Sequence, residues 1–124
     1  MFWQKFFGKK VATKFTGVVV AEIKTLKAHP NADKLQLVEV DSGQEILEIV
    51  CGAWNIKIGD KVPLALIGAK LPNGLEIKEA KIRGVKSNGM LCAVDELGLG
   101  LDHSGILILN SKAKVGGSID KYLK

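Results

Sequence analysis

From residue 17 onward the chain is built of short apolar runs separated by turn residues. Gly17–Leu26 (GVVVAEIKTL) opens on three valines and then alternates, the two-residue period of a strand. Leu35–Asp41 (LQLVEVD) carries apolar residues on both parities, which predicts a strand packed in part on both faces. Asp41-Ser42-Gly43-Gln44 predicts a turn, and Glu45–Cys51 (EILEIVC) the returning strand of a hairpin. Lys61–Ile67 is a fourth strand, where Pro63 implies an edge or a bulge. Pro72-Asn73-Gly74 is a turn, because Asn and Gly tolerate positive φ. Leu75–Ile82 (LEIKEAKI) alternates and reads as a strand or as extended chain leading to Arg83-Gly84. Met90–Ala93 and Gly105–Leu109 complete the set, while His29–Leu35 and Asp95–Gly98 each have room for one helical turn, the first capped by Asn31 or Asp33.

No stretch in the middle of the chain supports a helix of three turns, so the crossovers of a parallel sheet are missing. The expected fold is therefore all-β: a small antiparallel barrel of the oligonucleotide/oligosaccharide-binding (OB) type, with short helical turns. Residues 1–14 form a separate basic, aromatic extension, and 15–124 the barrel. The extension holds Phe2, Trp3, Phe6 and Phe7 at the spacing of one helix face, suited to covering a core or docking a partner. It has neither the apolar run nor the small-residue cleavage site of a secretory signal. With no apolar stretch near 18 residues elsewhere, the expectation is a cytoplasmic protein with no membrane partner.

Charge adds a partner class. The 124 residues carry 18 Lys and Arg against 13 Asp and Glu. Both ends are basic, the middle is net acidic, and within that middle Lys70, Lys78, Lys81, Arg83 and Lys86 outnumber Glu76 and Glu79. Basic ends with one basic internal stretch suit an anionic partner such as nucleic acid, though charge alone favours a surface made soluble by lysine. The chemistry of catalysis has little to stand on. Cys51 and Cys92 lie 41 residues apart beside apolar runs, and His29 and His103 are not spaced as metal ligands with them. No nucleotide-binding glycine motif or H-E-x-x-H is present. Neither cofactor, metal site nor catalytic residue is expected.

Three blocks carry a resemblance. His29-Pro30-Asn31-Ala32-Asp33-Lys34-Leu35, then Ile49-Val50-Cys51-Gly52-Ala53-Trp54-Asn55, then Lys81-Ile82-Arg83-Gly84-Val85-Lys86-Ser87-Asn88-Gly89-Met90-Leu91-Cys92 resemble, in that order, the tRNA-binding domain family. That family includes the N-terminal domain of the bacterial phenylalanyl-tRNA synthetase beta subunit, the C-terminal domain of many methionyl-tRNA synthetases and free-standing tRNA-binding proteins. Glu96-Leu97-Gly98-Leu99-Gly100 and Asp102-His103-Ser104-Gly105-Ile106-Leu107 look most like the phenylalanyl branch. The similarity runs from about Phe15 to Leu123.

The resemblance implies an OB barrel that binds the folded shape of tRNA without catalysis. It further implies that Lys34, Ser87 and Met90 contact RNA, and Asn31 and Arg83 sit in the same blocks. Lysine and arginine neutralise phosphates, a serine hydroxyl donates to phosphate or ribose, and methionine offers a deformable apolar surface. Structural roles stay open beside these: Asn31 and Asp33 as turn caps, Met90 in the core, Arg83 paired with Glu79 or Glu76. Two settings also stay open, a part of a larger synthetase subunit or a free-standing chain that pairs with itself. The rival function is assembly, with the aromatic N-terminus docking a partner and RNA binding vestigial.

Overall fold

A computed structural model describes residues 15–123, so the expected aromatic extension at 1–14 lies outside the described residues. Seven strands follow: β1 (Val18–His29), β2 (Ala32–Asp41), β3 (Ile46–Cys51), β4 (Lys61–Ala65), β5 (Ala80–Ile82), β6 (Val85–Ser87) and β7 (Met90–Leu91). Every pairing is antiparallel. One sheet runs in the order β3-β2-β1-β4-β7, and β5 pairs with β6 as a second hairpin. The helix among the described residues is a single 3-10 turn, Asp120–Tyr122. The small all-β barrel expected from the apolar pattern is what forms.

The valine triplet at the start of β1 has a reason. Val18 and Val20 face one buried cluster with Phe15, Leu71, Ile77, Leu97, Leu109 and Ile119. Val19, Ala21 and Ile23, on the opposite parity, face the barrel interior with Val38, Val40, Ile49, Val62, Leu64 and Leu91. A strand buried on both faces cannot alternate polar and apolar residues. Each fully buried isoleucine or leucine in this set contributes about 2 kcal/mol by removal from water.

The barrel closes where β3 meets the β6–β7 turn. Asn88 N–H donates to Glu48 O (3.0 Å), and Val50 N–H donates to the Ser87 hydroxyl (3.0 Å). That hydroxyl donates in turn to Gly89 O (3.1 Å). Gly89 itself adopts φ +147°, and a Cβ there would stand 2.8 Å from Ala65 O and 3.2 Å from Leu64 Cδ1. Backbone and backbone meet there, and only hydrogen fits between them.

Some expected elements take another form. The segment His29–Leu35 is no helical turn: Pro30-Asn31 closes a tight hairpin between β1 and β2. Proline supplies the turn's φ, and the side chain of His29, instead of an Asn31 or Asp33 cap, takes the Asn31 N–H. Pro63 lies fully buried in β4, neither on an edge nor in a bulge. Its carbonyl accepts Cys92 N–H (3.1 Å), and Cys92 O takes Leu107 N–H (3.1 Å) in place of the N–H that proline lacks, so no carbonyl is left unpaired. Gly105–Leu109 forms only an isolated bridge, Ala93 with Ile106, plus single bonds to Cys92 and Lys61. Asp95–Gly98 is a hydrogen-bonded turn closed by Gly98 N–H to Asp95 O (3.0 Å). Of Leu75–Ile82 only the last three residues enter a strand.

Replacing Gly89 by alanine should lower unfolding free energy by about 2–4 kcal/mol, measured by urea denaturation, because the Cβ must displace a carbonyl on a paired strand. A loss under about 0.5 kcal/mol would show that the closure yields without strain.

Candidate nucleic-acid interface

The β1–β2 and β5–β6 hairpins end side by side, joined by a histidine. His29 is 5% exposed. Its Nδ1 accepts the Asn31 N–H (2.9 Å), and its Nε2 lies 3.0 Å from Ile82 O. A carbonyl can only accept, so the ring carries its proton on Nε2 and donates to Ile82. Around this bond the two turns exchange contacts: Asn31 Nδ2 donates to Arg83 O (3.3 Å), and Arg83 Nη2 donates to Asn31 O (3.2 Å). Asn31 and Arg83 are thus in direct contact, although 52 positions separate them in the chain.

The β5–β6 tip concentrates positive charge under strain. Arg83 and Gly84 form a two-residue turn between paired Ile82 and Val85, with φ +52° and +91°. This is the I′ geometry, which favours Asn-Gly, and an arginine in the left-handed region costs about 1 kcal/mol. Behind it Lys81 stands opposite Lys86, a like-charged cross-strand pair that destabilises the hairpin unless an anion screens it. Lys86 meets Glu79 at 3.5 Å, but both are more than half exposed and the pair adds little. Lys81 and Lys86 thus share this tip with Arg83, and the Arg-Gly turn that sets them opposite one another does not read as a hairpin signal in sequence.

Lys34 projects from an irregularity. The register passes from Ala28 opposite Gln36 to His29 opposite Ala32, leaving Asp33–Leu35 outside the β1–β2 ladder. The freed Lys34 carbonyl accepts the indole N–H of Trp54 at 3.1 Å. The Lys34 side chain itself is exposed.

Ser87 and Met90 are placed differently from each other. Ser87 is 3% exposed, and its hydroxyl hydrogen is directed at Gly89 O while Val50 N–H occupies the oxygen. The donor that the motif offers to a phosphate or ribose is therefore engaged within the fold. Met90 is half-buried between two shallow grooves. One, of about 440 Å³, runs past Val50, Cys51, Gly52 and Ala53 toward His103. The other, of about 290 Å³, lies under Leu75, Lys78 and Ile82. Met90 thus serves core and surface together. The larger cavity of about 850 Å³, between Ser42–Glu45 and Lys114–Gly117, faces elsewhere and gathers no cation cluster.

The remaining reactive groups are inert or satisfied. Burial, reinforced by the charge of Glu96, pushes the Cys92 thiol up to about 12, and burial raises Cys51 as well. Neither is an active nucleophile at neutral pH. Asp95, Glu96 and His103 bring potential ligand atoms within 4.8 Å of one another. All three groups are already engaged: Glu96 Oε1 accepts Ala93 N–H (2.8 Å), and His103 Nδ1 bonds Asp95 Oδ1 (2.8 Å). That bond and the Asp95 charge hold His103 above its ordinary value, so the pair stands while His103 is protonated and Asp95 ionised, and weakens as rising pH deprotonates His103. Ser104, donating twice to Asp102 Oδ1, lowers that carboxyl. Among the described residues no helix is long and apolar enough to cross a membrane.

With this geometry in hand, the comparisons with known proteins agree in direction. A family model described as "Putative tRNA binding domain" matches residues 18–118. The phenylalanine–tRNA ligase beta subunit of Syntrophus aciditrophicus is 55% identical over 115 residues, covering 93% of this chain and 14% of that protein. The corresponding subunit of Neisseria meningitidis is 53% identical over 114 residues, again 14% of its length. The chain therefore spans about one-seventh of the curated relatives it matches. In fold it is similar to a MetRS-related protein from Pyrococcus horikoshii, with a TM-score of 0.59 at 23% identity, over 84% of this chain and 88% of that one.

Arg83→Asn places the residue favoured by this turn where arginine is strained. The variant should unfold no earlier than the parent, with a gain of up to about 1 kcal/mol by thermal or urea denaturation. A loss beyond about 1 kcal/mol would mean that the exposed Nη2 bond to Asn31 outweighs the strain.

Proposed function

The chain belongs to the tRNA-binding domain family, and from that premise we propose that it is a non-catalytic module that holds folded tRNA on the paired tips of β1–β2 and β5–β6. The observation that carries this reading is the reciprocal Asn31–Arg83 contact, buttressed by buried His29, which holds the two hairpin tips and exposed Arg83 together. Lys34, Lys81 and Arg83 neutralise backbone phosphates and release their counterions. A rigid arrangement of charges fits one spacing of phosphates better than another, so a folded RNA is preferred over a flexible strand.

Asn31 shares in the surface through its turn, holding Arg83 while its own side chain stays exposed. Met90 supplies an apolar floor between the two grooves. Ser87 acts through the fold, fixing Val50 and Gly89 so that Met90 and Asn88 keep their places. The barrel comprises residues 15–124, with 1–14 as a distinct extension. The strong identity to phenylalanine–tRNA ligase beta subunits, over a small share of their length, supports an accessory module of such a subunit. In that setting the partners are tRNA and the rest of the synthetase, the enzyme chemistry lies elsewhere, and the compartment is the cytoplasm. Self-pairing is the arrangement proposed for a free-standing chain.

The test is tRNA binding by fluorescence anisotropy across a salt series. Lys34→Ala and Arg83→Asn should each weaken binding and each reduce the slope of log affinity against log salt by about one unit. Unchanged slopes in both folded variants would move the interface off this surface.

A further inference from the structure

Trp54 is 58% exposed, the largest side chain so open among the described residues. Leaving an indole in water forgoes a large apolar burial, and the surrounding chain does not let it wander. Its N–H donates to Lys34 O at 3.1 Å, satisfying its one polar group and fixing the ring beside a lysine. The backbone on either side is held as well. Ala53 O accepts from Gln36 Nε2 (2.7 Å), and Ala53 N–H meets Cys51 Sγ (3.4 Å). Asn55 binds both backbone groups of Ile106, with Nδ2 donating to its O (2.9 Å) and Oδ1 accepting its N–H (3.0 Å). The result is an exposed aromatic ring with little rotamer freedom left to lose, on the carbonyl of Lys34, itself a proposed phosphate contact.

We propose that Trp54 is a stacking platform for an unpaired nucleobase of the bound RNA. This rests on the tRNA-binding reading and adds the class of group recognised: a single-stranded base next to the backbone that Lys34 neutralises. Cations alone would hold any polyanion, whereas a fixed indole face rewards a flat π system and is tolerant of its sequence. Folded tRNA offers such bases in its loops and at its 3′ end; a fully paired duplex does not. The ring needs no rearrangement to receive the base, so its ordering cost is already met by the five hydrogen bonds around it.

The chain has two tryptophans, Trp3 and Trp54. In the full chain carrying Trp3→Phe, all indole emission reports Trp54. Titration with folded tRNA should quench that emission, and titration with a perfectly paired RNA duplex should leave it nearly unchanged. Trp54→Leu should weaken tRNA binding about tenfold, within the range of one lost stacked base, while duplex affinity holds within about twofold. Thermal unfolding of the same sample shows whether Trp54→Leu keeps its fold, and the quenching needs no substitution at Trp54. Emission unaltered at saturating tRNA, or an equal loss of duplex and tRNA affinity in the folded variant, overturns the stacking role. If tRNA binds and remains sensitive to Lys34→Ala in that outcome, the tRNA reading stands without it. If the Trp3→Phe chain binds no tRNA even at low salt, both fall.

Discussion

Two hydrogen bonds to one buried imidazole determine what this surface can be. His29 reaches from the last residue of β1 to Asn31 N–H on its own hairpin and to Ile82 O on another. Without that bridge the β5–β6 hairpin, three residues a side, would be tied to the barrel at its base and carry Lys81 opposite Lys86 at a tip without its buried anchor. With it, the strained Arg83 turn is held against Asn31, and a local instability becomes a fixed cluster of charge. Repulsion and backbone strain left within a stable barrel are the pattern expected where a surface is shaped for a ligand rather than for its own stability.

The rest of the barrel makes that cluster affordable. β1 is buried on both parities through its first half and then runs on past the core, carrying His29 out to the tip. Closure between β3 and the β6–β7 turn, through Ser87, Asn88 and Gly89, sets the base of the second hairpin relative to the first. Core, closure and interface are thus a single mechanical path. Ser87 shows why a motif residue need not touch what the motif binds: its hydroxyl is engaged at both ends inside the fold, and its effect on the surface is through position.

Much of this is legible in the chain. The valine triplet, the alternation after it and the Asp41–Gln44 turn locate β1 to β3, because periodicity reports burial directly. Lys34, Arg83 and Asn31 are found through the resemblance, and the structure places the last two in contact. What sequence hides is what arises between distant segments. His29–Leu35 has the composition of a helical turn, and the pairing of β1 with β2, with the His29 side chain on Asn31 N–H, makes it a hairpin tip instead. Pro63 reads as an edge residue because sequence cannot show that Leu107 N–H takes the Cys92 carbonyl that proline cannot reach. Trp54 looks like one more apolar residue until Lys34 is seen outside its ladder with a free carbonyl.

The central claim is that this surface reads a folded RNA shape, and competition measures that most directly. Labelled tRNA bound to the full chain at about 150 mM salt is displaced either by unlabelled tRNA or by an unstructured RNA of the same length. The account predicts that the unstructured strand displaces at least about tenfold less well, because fixed cations match one phosphate spacing. Equal displacement by both would contradict it, reducing the surface to a patch of charge that any polyanion satisfies.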